Sequence, residues 1–121
     1  MAGHDMNIMN YLEAGLKAES TRQKAIANNI ANVNTPGYRR SDIRFEELLA
    51  KAIGSKGEIE PSELEPEFYQ PKTTQVKANG NDVAMDTEVG ELVKNSLRYK
   101  TYIQLLKKKY RQMEMAIKVQ G

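Results

Sequence analysis

A chain of 121 residues with net charge +2, no cysteine, no tryptophan and only two phenylalanines has room for one modest domain. Apolar content of 40 % and a mean hydropathy of −0.65 are low for a tightly cored globule and point to burial completed by oligomerisation. Cysteine-free, it has no disulfide framework, thiolate chemistry or Cys–metal site; no apolar run approaches the ~20 residues of a membrane span, and no basic n-region with an apolar core marks a Sec-type signal.

The first expected helix runs from about Asp5 to Asn32, roughly 42 Å at 1.5 Å per residue. Met9, Leu12, Leu16, Ile26, Ile30 and Val33 follow the three-four spacing of a coiled-coil seam. Glu19 and Gln23 interrupt that seam. Polar seam residues cost stability and can fix register or partner choice. A locally solvated gap between helices is the other reading, and the residues do not choose between them. Gly15 is the one weak helix former inside.

The helix stops at an asparagine-rich stretch, Asn28, Asn29, Asn32 and Asn34, followed by Thr35, Pro36, Gly37 and Tyr38. Pro36 cannot continue a helix and pushes Thr35 to extended geometry. Pro-Gly favours a type II turn with Gly37 at positive φ. The asparagine amides can satisfy backbone groups at a helix end. An elaborate cap and turn accounts for these residues by their chemistry alone.

A short amphipathic helix is expected from about Phe45 to Ile53, stopped by Gly54. Ser55 to Pro71 reads as a solvated loop broken by Pro61, Pro66 and Pro71, with five glutamates and no basic residue between Gly57 and Gln70. Asn79-Gly80 predicts a β-hairpin that pairs Ala78 with Asn81, Lys77 with Asp82 and Val76 with Val83.

The last helix should run from Thr87 to Val119, capped by Asp86, with glutamates early and cations late, as the helix dipole favours. Its seam reads Val89, Leu92, Ser96, Tyr99, Ile103, Leu106, Tyr110, Met113 and Ile117. Two long helices that each bury a narrow stripe find their natural partner in one another, then in neighbouring copies of the chain. The expected fold is therefore mainly α. Residues 1–35 and 86–121 form one antiparallel coiled-coil hairpin domain. Residues 36–85 make a central region with a short helix, a loop and a small β-hairpin.

Catalytic constellations are missing. His4 is the lone histidine, no ligand cluster suggests a metal, and no phosphate loop or nucleophile elbow is present. Glu58, Glu60, Glu63, Glu65 and Glu67 lie in a proline-broken loop with nothing to fix a carboxylate pair. No enzyme and no cofactor is expected. The basic cluster from Lys107 to Arg111 leaves open a solvated face, a charged contact with a partner chain, or a soluble coiled-coil adaptor or nucleic-acid binder.

The run "NNIANVNTPGY" from Asn28 to Tyr38, preceded by "AIA", resembles the N-terminal motif of the flagellar axial family of rod and hook proteins. "RRSDIRFEELLAKAI" after it, and "NGNDVAMDTE" entering the last helix, are similar to the small proximal-rod members; another small rod protein such as FlgC is the alternative within the family. The resemblance spans nearly the whole chain and is weakest from Ser55 to Lys72. It implies a structural subunit that leaves the cell unfolded by the flagellar type III route, without a cleaved signal. It also implies assembly in the basal-body rod with copies of itself, with FlgC-, FlgF- and FlgG-like rod proteins, and with a FliE-like adaptor at the export gate. Asn28 to Tyr38 would be its assembly motif, and Leu12, Leu16, Ile26, Ile30 and the C-terminal seam its coiled coil.

Overall fold

The computed structural model describes residues 2–54 and 61–120, with side chains over 8–54 and 63–119. The His4 side chain lies outside the described side chains, and Glu58, Glu60 and the first part of the expected loop lie outside the described residues. The described chain is mainly helical. Helix α1 spans Ala2–Ala31, α2 Glu46–Gly54 and α3 Met85–Gln120. A 3-10 turn covers Pro61–Leu64. At about 1.5 Å per residue, α3 is roughly 54 Å long.

Helices α1 and α3 form an antiparallel hairpin. Asn29 near the end of α1 meets Glu88 at the start of α3, and Glu19 meets Asn95 further along. A different flank of α1 carries the small apolar core. There Tyr11, Ala14 and Ala18 pack with Ile43, Phe45, Leu49, Ala52 and Leu64. Phe45 is fully buried, and its carbonyl accepts the Leu49 N–H to start α2. Helix α1 thus serves two partners, which is why its apolar residues do not fall on one stripe.

The small sheet is present but built from other residues than Asn79-Gly80 predicted. Strand β1, Asp42–Arg44, pairs antiparallel with β2, Glu67–Tyr69, in the register Asp42 with Tyr69, Ile43 with Phe68 and Arg44 with Glu67. Ile43 turns into the core, and the Arg44 guanidinium lies 4.4 Å from the centre of the Tyr69 ring. The segment expected to be all loop therefore contains a strand.

The Asn79-Gly80 turn forms, one residue out of the expected register. Gly80 N–H donates to Lys77 O (2.9 Å) and Lys77 N–H to Asn81 O (2.8 Å), with Gly80 at φ +85°. This is a three-residue hairpin loop with its glycine at positive φ, in place of a two-residue turn. No ladder follows, because the next backbone donors are already engaged. Asp82 N–H goes to Tyr38 O (3.3 Å) and Val83 N–H to its neighbour's amide, Asn81 Oδ1 (2.7 Å).

Helix α3 starts earlier than expected. Glu88 N–H donates to Ala84 O (3.0 Å), so Ala84 takes the capping position and Asp86 lies within the first turn, still favourable for the dipole.

Candidate assembly site

Two polar clusters hold the hairpin, and the first is the corner where α1 ends. Pro36 and Gly37 make the expected turn: Tyr38 N–H donates to Thr35 O (3.2 Å), and Gly37 has φ +76°. The last carbonyls of a helix have no partner within it. Here Asn32 N–H and Nδ2 reach Asn28 O and Val33 N–H reaches Ile30 O, so the helix end is closed locally, and the turn beyond it is met from across the fold. Asn81 Nδ2 donates to Asn32 O (2.9 Å) and to Thr35 O (2.8 Å). Gly37 N–H donates to Asn79 O (2.9 Å). A Cβ on Gly80 would lie 3.3 Å from Gly37 Cα, so the two turns touch closely and a side chain there would have to push them slightly apart.

Asn29, fully buried, ties the corner to both helices. Its Nδ2 donates to Ser41 O (2.9 Å) and to Glu88 Oε2 (3.1 Å). Its Oδ1 accepts from Ser41 N–H (2.8 Å) and from the Tyr38 hydroxyl (3.1 Å). Arg40 Nε donates to the buried Glu88 Oε1 (2.7 Å). Asp82 accepts from Arg40 N–H and from the Thr74 hydroxyl. Burial opposes the Arg40 charge, but its bond to Glu88 outweighs that and holds the guanidinium above its ordinary value. Among the described residues, no buried side-chain nitrogen or oxygen lacks a partner.

The second cluster crosses the middle of the hairpin. Glu19 is buried and accepts from Arg22 Nη1 (2.6 Å), Asn95 Nδ2 (3.1 Å) and Arg98 Nε (3.0 Å). Asn95 Nδ2 also donates to Glu19 O (2.7 Å), and Arg22 Nη2 to Glu46 Oε1 (2.6 Å). Of the two readings of the seam break, Glu19 is a paired buried residue rather than part of a solvated gap, whereas Gln23 is exposed. Such a layer penalises any register that separates its members. Burial opposes ionisation of Glu46, but the Arg22 hydrogen bond outweighs it and holds that carboxyl below its ordinary value. Burial pushes the Tyr102 phenol up, and the charges of Glu19 and Glu46 push it further. The Tyr102 ring rests on Gly15, where an added Cβ would lie 2.2 Å from its Cε1.

The motif residues divide between inside and outside. Asn29 is buried and Asn32 and Tyr38 are half-buried, while Asn28, Asn34, Thr35, Pro36 and Gly37 face solvent. Along the seam, Ile26 and Leu106 are buried, and Leu12, Leu16, Ile30, Leu92, Ile103 and Met113 are half-buried. In the single chain Val89 is 48 % exposed, Tyr99 38 %, Tyr110 53 % and Ile117 70 %. The column that meets α1 beside Leu92, Leu106 and Met113 is Glu88, Asn95 and Tyr102, one residue away from the apolar column read from the sequence. Arg22, Arg40 and Asn95 were not singled out by sequence reasoning, and Asn81, Asp82 and Glu88 entered it only through the hairpin register and the run into the last helix. The seven-residue spacing of Glu88, Asn95 and Tyr102 was the available signal.

The family model for flagella basal body rod proteins matches residues 9–39, which cover most of α1 and the corner turn. The chain is 30 % identical to the flagellar basal body rod protein FlgB of Buchnera aphidicola, over 92 % of this chain and 94 % of that protein. It is 33 % identical to that of Cereibacter sphaeroides (85 % and 88 %) and 27 % identical to that of Bacillus subtilis (88 % and 89 %).

Proposed function

The chain belongs to the FlgB family of flagellar basal body rod proteins, a structural and not an enzymatic family, and on that premise we propose that it is a subunit of the proximal rod, next to the export gate. In this reading it assembles with copies of itself and with FlgC-, FlgF- and FlgG-like rod proteins, with a FliE-like adaptor at the base. The rod lines the secretion channel and transmits torque for motility. The subunit reaches the periplasmic side unfolded, by the flagellar type III pathway. Among the described residues no helix is long and apolar enough to cross a membrane.

The observation that carries the reading is the long hairpin, closed at one end by a fully satisfied polar corner and left apolar and open at the other. Met115, Ile117 and Val119 are exposed at the far end of α3. In an assembly such residues are covered by the next subunit, as apolar patches at interfaces are. Residues 1–35 and 86–121 then act as one inner coiled-coil domain and 36–85 as the central region. Asn28, Asn34, Thr35 and Pro36, the outward half of the corner, are the assembly motif proper, while Asn29, Asn32, Gly37 and Tyr38 shape it.

An immunoblot of purified, detergent-extracted basal bodies beside the cytosolic fraction tests this. Retention with the rod is the expected result, and a chain found only in the cytosol would remove the reading. Ala at Pro36 and Gly37 together should leave expression intact and reduce incorporation; normal incorporation and swimming would leave the corner as a cap alone.

A further inference from the structure

Charge is separated along this chain more sharply than its net value suggests. Between Leu92 and Met113, α3 carries seven Lys and Arg and no Asp or Glu. Lys94 pairs with Glu91 and Arg98 with Glu19. Lys100, Lys107, Lys108 and Arg111 are exposed, with no ion pair among the described residues, and Leu97 and Leu105 are exposed on the same helix. Lys107 and Arg111 sit four apart on one helix face, a like-charge spacing that costs a few tenths of a kcal/mol unless an anion offsets it.

One stretch of the central region carries the opposite sign: five glutamates and no basic residue fall between Gly57 and Gln70. Glu47, Glu63 and Glu67 are exposed and, among the described residues, unpaired. This acidic flank packs on α1 through Ala14 and Ala18, whereas α3 packs on it through Gly15 and Glu19. The two charged surfaces therefore belong to different flanks of α1, and one copy does not satisfy both by itself.

We propose that the basic outer face of α3 docks on the acidic central flank of a second copy of the chain. The inference rests on the self-assembly reading above and names its contact. Each copy offers both surfaces, so the contact is heterologous and repeats without closing. A nucleic acid would satisfy only the cations and leave the acidic flank without a partner. Of the tyrosines on α3, Tyr102 lies on Gly15 and turns away from the basic face.

Sedimentation velocity of the full chain at about 50 mM and about 0.5 M salt is the test, since screening tightens several-fold over that range. Self-association should weaken by roughly tenfold at the higher salt. K107E/K108E/R111E and E47K/E63K/E67K should each stay monomeric where the unaltered chain associates, with unchanged far-UV circular dichroism. An equimolar mixture of the two should associate again, because each then presents a surface the other can meet. Salt-independent association, or a mixture that stays monomeric, overturns the proposal. Binding of duplex DNA or anionic vesicles that K107E/K108E/R111E abolishes, with no rescue on mixing, also overturns it and assigns the stripe to a polyanion. Full retention of K107E/K108E/R111E in basal bodies, with normal swimming, overturns this contact while leaving the rod reading intact. Absence of the unaltered chain from basal bodies removes both.

Discussion

The corner at Asn29 to Asp42 and the far end of α3 are opposites. At the corner, two stretches about fifty residues apart are locked by amides and carboxylates that each meet their partners within the chain. At the far end, Met115, Ile117 and Val119 are more than half exposed. The corner uses polar groups whose burial is tolerable only when every one is paired, which gives a single geometry. The far end uses apolar groups, which accept any partner of suitable shape. One end of the molecule is thus closed by folding, and the other keeps apolar side chains exposed.

The corner is most sensitive at Glu88. Glu88→Ala leaves Arg40 Nε and one Asn29 amide hydrogen without an acceptor, and the buried guanidinium with only the longer Asp42 pair (3.7 Å), and should cost about 3–5 kcal/mol in chemical denaturation. A loss below about 1 kcal/mol would mean that the corner is not the rigid end.

Gly15→Ala gains up to about 1 kcal/mol of helix propensity yet displaces the Tyr102 ring. The net effect should be a loss of about 1–2 kcal/mol, because a displaced ring gives up most of its burial. In the Tyr102→Ala background the same substitution should become stabilising. A double-mutant cycle without that change of sign would show that the ring does not depend on its glycine seat.

Acid sharpens the contrast further. The Glu46 carboxyl is held below its ordinary value in the folded chain, so its contribution is present above the unfolded value near about 4.3 and is lost as pH falls through the lower folded one. The Glu46 side chain is 65 % exposed, so solvent screens the pair and the effect is modest. Melting curves from pH 6 downward should show Glu46→Gln losing less stability with acid than the unaltered chain; parallel curves would exclude Glu46 as the responsive group.

The smallest effect on stability should come from the open end. M115S/I117S should change the unfolding free energy of the single chain by less than about 0.5 kcal/mol, as for other exposed sites. The same variant should be depleted from basal bodies. A large loss of stability, or undiminished incorporation, would show that these residues are not reserved for a neighbour.

Local chemistry made much of this legible. The three-four periodicity locates both long helices, Pro36 and Gly37 write their own turn, and Asn79-Gly80 marks another. Residues along a helix or within a turn act on neighbours a few positions away, and that range is visible in a sequence. Strands of three residues are too short to show an alternation, so Asp42–Arg44 and Glu67–Tyr69 left no trace. The Asn79-Gly80 turn was readable, but the fate of the backbone beyond it depended on Tyr38, a partner no local rule includes.

A mainly helical, cysteine-free chain with two long amphipathic helices and a turn-rich corner follows from the residues alone, because propensity, periodicity and turn chemistry are local properties. The phase of the α3 face and the inward role of its polar residues come from contacts between distant parts of the chain. Hydropathy assigns Glu88, Asn95 and Glu19 to solvent. They are buried because Arg40, Asn29, Arg22 and Arg98 meet them there, and the pairing of a charge, unlike its polarity, depends on what the fold brings within about 3 Å of it.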